Sequence, residues 1–284
     1  MEWNFKNRTF RPGVVAGVIF LFLVIVTTVA VGYGAYYVYN DFFAEEEQTS
    51  VSVEEPSCNV NGIALHGMLD TYAPPKGSDN GGNIVGSEDV VFNIEAAAKD
   101  PAIKAVLIDV DSMGGTPVAA DEVAKALKAL TKPSVAVIRG YGDSAAYWAA
   151  TGANIIFASP LSDVGSIGVT SSYLENVGFN AKQGYSYQQL SVGKFKDMGD
   201  PNRTLTAEEK QIVMKQLEEN YNYFINTVAA NRKIPVEEVK KLATGESWSG
   251  TEALKLKLID QLGGFLEAEA WLEKQIGSKP EFCW

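Results

Sequence analysis

The chain has 284 residues, 46% hydrophobic, with a formal net charge of −11 and a single histidine. That size can bury one substantial core and still supply an anchor, without disulfides or a metal to hold it together. The acidic balance argues against a nucleic-acid partner, and one histidine with two distant cysteines gives no cluster at zinc spacing, so neither metal nor cofactor is expected.

Lys6, Arg8 and Arg11 precede a stretch, 14–38, that contains no charged residue. About 25 residues as helix reach roughly 37 Å, enough to cross about 30 Å of hydrocarbon with some tilt. A cleavable signal would have an apolar core of only about 7–15 residues and a small-residue exit. The stretch therefore reads as a transmembrane signal anchor. Basic residues lie before it and Asp41, Glu45, Glu46 and Glu47 after it. This bias puts residues 1–13 in the cytoplasm and everything beyond the span outside it. Tyr33, Tyr36 and Tyr37 suit the outer interface, and 39–57 read as an acidic linker that ends near Pro56.

A folded domain, 58–284, follows. A strand at 60–67 opens it, and 71–85, with Pro74, Pro75, Gly81 and Gly82, reads as a mobile loop able to lie over a groove. Helix at 88–98, strand at 102–110, helix at 119–130, strand at 134–139, helix at 144–151 and strand at 154–158 then alternate as βα units, an α/β class. A later helix opens with the capping box Thr206 to Glu209, and Ile212, Leu217, Tyr221, Phe224 and Val228 recur at helical spacing as core or subunit contacts first and a substrate surface second. There is no long internal repeat.

The chemistry centres on Ser144. It follows the apolar run 134–138 and precedes an alanine-rich helix start, a strand-turn-helix presentation that leaves N-terminal N–H groups free for an oxyanion. The plainer reading is a tight turn with Ser144 as helix cap. Gly142 to Ala146 approaches the Gly-x-Ser-x-Gly elbow, but that triad ends in a histidine and none follows Ser144. His66 lies in an apolar strand-like run, where a core or strand-end role fits it, and Asp109 with Asp111 reads as a strand end turning into solvent.

A serine without histidine can use lysine as base, provided burial makes neutral an amine whose free pKa is about 10.4. The candidates are Lys194 and Lys196. They lie on one side of an extended segment, so periodicity does not choose between them. A third piece is the run 105–110 leading into Gly114-Gly115, whose paired glycines permit positive φ and close backbone approach.

In their order these pieces resemble the signal peptide peptidase A family (peptidase family S49), membrane-bound Ser-Lys peptidases with a Clp-protease and crotonase-like fold. The resembling stretches are Asp111-Ser112-Met113-Gly114-Gly115, Asp143-Ser144-Ala145-Ala146-Tyr147-Trp148, Gly165-Ser166-Ile167-Gly168-Val169, Lys196-Asp197, and Trp248 to Ala253 with Leu258 to Gly264. The resemblance implies Ser144 as nucleophile, Lys196 as general base, an oxyanion hole from the N–H groups of Gly115 and Ala145, a turn shaped by Gly114, and Ser166 holding the lysine. It also implies a single-repeat α/β form of that fold and assembly into homo-oligomeric rings in which neighbours can complete a site. The chain departs from the family pattern at Met113 (proline), Asp111 (asparagine), Ala145 and Ala146 (glycines), Asp143 (a small residue) and Lys257 (glycine).

The expectation is a single-pass, membrane-anchored serine endopeptidase of the cell membrane. Its catalytic domain lies outside the cytoplasm and hydrolyses extended peptides such as remnant signal peptides or membrane-associated fragments. The alternatives are a related Ser-Lys protease with a specific membrane-protein substrate, or an inactive crotonase-like scaffold. Cys58 and Cys283 bracket the domain; an oxidising compartment permits them to pair, and two free thiols fit the sequence equally well.

Overall fold

The computed structural model describes residues 12–43, 58–74 and 83–284. Lys6, Arg8 and Arg11, most of the expected linker, and the middle of the expected 71–85 loop lie outside the described residues. The chain divides into two units, Met1–Pro56 and Ser57–Trp284.

In the first unit, helix α1 (Pro12–Phe43) has 32 residues and is therefore about 48 Å long. Its segment Phe20–Tyr39, with mean hydropathy 1.9, is long and apolar enough to cross a membrane. The Thr27 and Thr28 hydroxyls donate back to carbonyls one turn earlier, at 2.9 Å. These two hydroxyls are thus satisfied within the helix, as an apolar surrounding demands.

The second unit is mixed α/β. Its elements are β1 (Val60–His66), β2 (Met68–Asp70), β3 (Ile84–Gly86), α2 (Ser87–Lys99), β4 (Ala105–Ser112), α3 (Pro117–Ala129), β5 (Ser134–Asp143), α4 (Ala145–Ala150), β6 (Ile155–Ala158), β7 (Asp163–Gly165), α5 (Val177–Lys182), α6 (Ala207–Arg232), α7 (Val236–Leu242), β8 (Ser247–Ser249), α8 (Gly250–Lys255), β9 (Gln261–Leu262), α9 (Phe265–Ile276) and β10 (Phe282–Cys283). The main sheet runs β10-β1-β4-β5-β6-β9, every neighbour parallel. Parallel sheets need cover on both faces. The residues of β4 supply it in alternation: Val106, Ile108 and Val110 join the larger core with α2, α3 and α4, while Ala105 and Leu107 join a smaller one with Ala268 and Leu272 of α9.

Two differences from the sequence expectation matter for the site. Strand β5 continues past 139 to Asp143 because its far end changes partner, from Ile155–Ala158 to Asp163–Gly165 of β7. It therefore delivers the chain to Ser144 still under sheet restraint. Part of the expected loop 71–85 is strand, since β3 pairs with β2. The cysteines are joined, Cys58 to Cys283 with a Cα separation of 5.5 Å, which fastens the chain end beside β1.

Candidate active site

Ser144 connects β5 to α4 with φ 50° and ψ −121°. A side chain there costs about 1–3 kcal/mol and persists only where the surroundings over-determine it. They do so here. The Ser144 N–H donates to Gly165 of β7 at 2.8 Å, and its carbonyl accepts from Trp148 of α4 at 2.9 Å. All six residues of α4 are buried, and the Tyr147 hydroxyl donates to the Leu258 carbonyl at 2.8 Å. The four alanines of this short helix leave room for Tyr147 and Trp148 to be buried within the turn's packing against the sheet.

The Gly114-Gly115 turn faces it. Gly114 has φ 119°, and a Cβ there would come within 2.8 Å of the Ser144 Cβ and 3.2 Å of the Ala145 nitrogen. A Cβ on Gly115 would overlap the Leu69 carbonyl oxygen at 1.8 Å. Glycine is required at 114 by conformation and at 115 by space. Ser112, buried, accepts from the Gly114 N–H at 3.1 Å, and Leu69 brackets the turn by donating to Gly114 O and accepting from Thr116 N, both at 2.9 Å. Among the described residues neither the Gly115 nor the Ala145 N–H donates to a backbone acceptor. These are the two donors expected to meet an oxyanion.

Gly115, Ser144, Ala145 and Ser166 line one cavity of about 390 Å³, together with Trp148, Phe224, Val169 and Thr170. Trp148 stacks on Phe224 at 4.8 Å between ring centroids and gives the cavity an aromatic wall. Its buried indole Nε1 has no acceptor among the described residues. The helical spacing of Phe224 marks a core or subunit contact first and a substrate surface second, and the wall arises from its contact with Trp148, which the spacing does not show. Ser166, with φ 47°, donates to the Gly245 carbonyl at 3.2 Å. Of the two alanines that depart from the family pattern, Ala145 lines the cavity and Ala146 is taken into the core.

Asp143 does not line the cavity. It accepts from the Ser247 hydroxyl at 2.9 Å, across β7 on β8. Burial pushes its carboxyl above the usual range; the Ser247 hydrogen bond opposes this and nearby Asp163 adds to it. His66 closes β1 and pairs with Asp109 at 2.9 Å, again away from the cavity. Asp111 accepts from the Tyr141 N–H at 3.1 Å. Among the described residues no group of three His, Cys, Asp or Glu is arranged to hold a metal ion.

Lys196 is the one expected site residue not gathered here. It is exposed, and among the described residues its side chain makes no hydrogen bond or ion pair. Its neighbours are engaged: Lys194 with Glu208 at 2.7 Å, and Asp197 with the Tyr187 hydroxyl. The segment that carries it, 170–203, contains only the short helix α5 and leaves apolar side chains in solvent, Leu190 and Val192 at 97% exposure each. Its far end is clamped, and Lys194 ties its middle to Glu208 of α6. Arg203 donates to the Asp197 carbonyl at 2.7 Å and forms two bonds to Glu209, at 2.6 and 2.9 Å. Glu209 also closes the capping box of α6 with Thr206. The Arg203 guanidinium, with help from Thr206, lowers the Glu209 carboxyl to about 2.

The peptidase family S49 model matches residues 126–279, more than half of the chain. The chain belongs to peptidase family S49. The matched region of this S49 member takes in Ser144, Ser166 and Lys196 and begins after the Gly114-Gly115 turn. A Methanocaldococcus jannaschii protein that carries the name protease is 36% identical over 186 residues, 64% of this chain and 60% of that one. The chloroplastic serine protease SPPA of Arabidopsis thaliana is 31% identical over 70% of this chain and 30% of its own length. A protein of Enterococcus faecium named as signal peptide peptidase SppA is 28% identical over 82% of this chain and 69% of its own. The S49 chain thus spans less than two thirds of the first two relatives.

Proposed function

We propose that this S49 member is a membrane-anchored serine endopeptidase, with a Clp-protease and crotonase-like domain outside the cytoplasm, acting on extended peptides such as remnant signal peptides. In this reading the Ser144 Oγ attacks the scissile carbonyl carbon and its proton passes to the neutral Lys196 amine. The oxyanion accepts from the Gly115 and Ala145 N–H groups. The C–N bond then breaks as the amine leaving group takes the proton back, and water releases the acyl group from Ser144. Ser166 steadies the lysine.

The observation that carries the reading is the convergence at one cavity of a serine held at φ 50° with two unengaged N–H groups. A lysine acts as base only when desolvated, and Lys196 is exposed on an arm of the chain that leaves Leu190 and Val192 in solvent. We therefore assign the completion of the dyad to a neighbouring copy in a homo-oligomeric ring, where burial of the arm covers the amine. The disulfide between Cys58 and Cys283 favours an oxidising compartment. The helix Phe20–Tyr39 favours a bilayer anchor.

Mixing tests the reading directly. Ser144→Ala chains and Lys196→Ala chains, each inactive alone, regain part of the hydrolysis of a fluorogenic peptide when co-assembled. Absence of recovery in confirmed mixed assemblies would return both residues to one protomer.

A further inference from the structure

Two lysines that the proposed chemistry does not use share a second cavity. Lys233 caps the C-terminal end of α6 with φ 55° and ψ 39°, and Lys257, just beyond α8, has φ 62°. Both hold a left-handed conformation that helix ends usually give to glycine or asparagine. Both line a cavity of about 330 Å³ with an apolar floor of Ile234, Leu242 and Leu256.

The charge of this cavity runs against that of the chain, which is −11 overall. Lys241 and Lys255 also line it, but carboxylates already hold them, Glu238 at 2.7 Å and Glu252 at 2.9 Å. Lys233 and Lys257 have no ion pair among the described residues. The turns that carry them are stiff. Arg232 donates to the Lys257 carbonyl at 3.1 and 3.2 Å while pairing with Asp260 at 2.8 and 2.9 Å, and the Lys233 N–H is bonded to Ala229. Two ammonium groups without an ion-pair partner among the described residues, carried on held backbone turns beside an apolar floor, match the needs of an anion with an apolar portion, although Glu238, paired with Lys241, also lines the cavity.

We infer that this cavity binds the C-terminal carboxylate of a peptide whose last side chain is apolar, with Lys233 and Lys257 taking the carboxylate and Ile234, Leu242 and Leu256 the side chain. The volume suits a chain end. An anionic lipid surface presents many charges at once and is repelled by the rest of the acidic domain, whereas a peptide end presents a single charge. The placement suits a peptidase too: two residues past Leu242, Thr244 and Gly245 line the Ser144 cavity. The inference rests on the peptidase reading only in taking peptides as what the protein meets.

The test uses full-length Ser144→Ala protein in detergent and a pentapeptide ending in leucine, labelled with fluorescein at its N-terminus. Anisotropy is read for the free acid and for the C-terminal amide. The acid binds at least about tenfold more tightly, the scale of losing a charge-assisted contact. Combined Lys233→Gly and Lys257→Gly substitution brings the acid to the level of the amide and leaves the amide unchanged. Glycine suits both conformations, so the double variant melts no lower than its parent. Equal binding of acid and amide, or undiminished acid binding by the double variant, overturns the inference. So does equal acid and amide binding accompanied by loss of phosphatidylglycerol vesicle binding in the variant, which gives the cavity to the membrane. Failure of the peptidase reading shows separately, as absent fluorophosphonate labelling of the wild-type protein.

Discussion

The two halves of the proposed dyad are built in opposite ways. Around Ser144, a sheet end, a buried helix and a glycine turn converge, and hydrogen bonds from β7 and α4 fix a backbone conformation that serine would not choose. Around Lys196, Leu190 and Val192 stand in solvent, and the segment is held by polar contacts of the neighbouring residues, Lys194 with Glu208 and Asp197 with Arg203. The nucleophile half is held by buried packing and backbone bonds, whereas the base half is held by polar side-chain contacts and leaves apolar surface in solvent. In the proposed reading, assembly rather than rearrangement of the nucleophile switches the enzyme on, and hydrolysis is confined to the assembled form.

The largest effects fall on the nucleophile half. Ser144→Ala removes one oxygen from a turn held by backbone bonds, so hydrolysis falls by at least about 10,000-fold while melting temperature and assembly hold. Gly115→Ala differs in kind: its Cβ would overlap the Leu69 carbonyl. The turn must shift, and loss of one oxyanion donor alone costs about 100- to 1,000-fold. The expected signature is a fall in kcat accompanied by a lower Tm, against an unchanged Tm for Ser144→Ala.

On the base half the contrast sharpens. Arginine cannot be deprotonated in proteins, so Lys196→Arg is as inactive as Lys196→Ala, each down by about 100- to 10,000-fold. Lys194→Arg keeps its pairing with Glu208 and stays active. Loss in Lys194→Arg with none in Lys196→Arg would exchange the two lysines. Leu190→Glu combined with Val192→Glu leaves the Tm of the single chain unchanged, because both side chains are in solvent. It lowers the assembly mass seen by light scattering and makes activity fall on dilution. A dilution profile like that of the wild type would disconnect the arm from assembly.

This division also explains what the sequence made legible. The βα alternation, the turn at Ser144 and the capping box at Thr206 each rest on local patterns, and local patterns govern the elements that build the nucleophile half. The continuation of β5 to Asp143 was hidden because it depends on β7, a three-residue strand with no periodicity of its own. The outward turn of Asp143 depends on Ser247, more than a hundred residues away. The aromatic wall of the cavity arises where Trp148 of α4 meets Phe224 of α6, a tertiary contact. Lys196 stayed level with Lys194 for a related reason. The chain alone gives neither an inward-facing environment, and only the family resemblance separated them.

The smallest effect tests the clamp at the end of the arm. Glu209 is held ionised by Arg203 and by the capping box, with its carboxyl lowered to about 2. A carboxylate depressed on folding contributes stability that is fully present above its unfolded value of about 4.3 and is lost as pH falls toward the folded value. The wild-type Tm, compared with that of Glu209→Gln, therefore exceeds it by a constant margin at neutral pH, and the margin shrinks only between about pH 4.5 and 2. Glutamine keeps one acceptor for Thr206 but loses the charge that pairs with Arg203, so activity at pH 7 drops only a few-fold, because Arg203 keeps its hydrogen bonds to the Asp197 carbonyl beside Lys196. A margin that vanished already near pH 6 would mean that another group supports this end, and the arm would then be anchored by something other than the Arg203 and Glu209 pair.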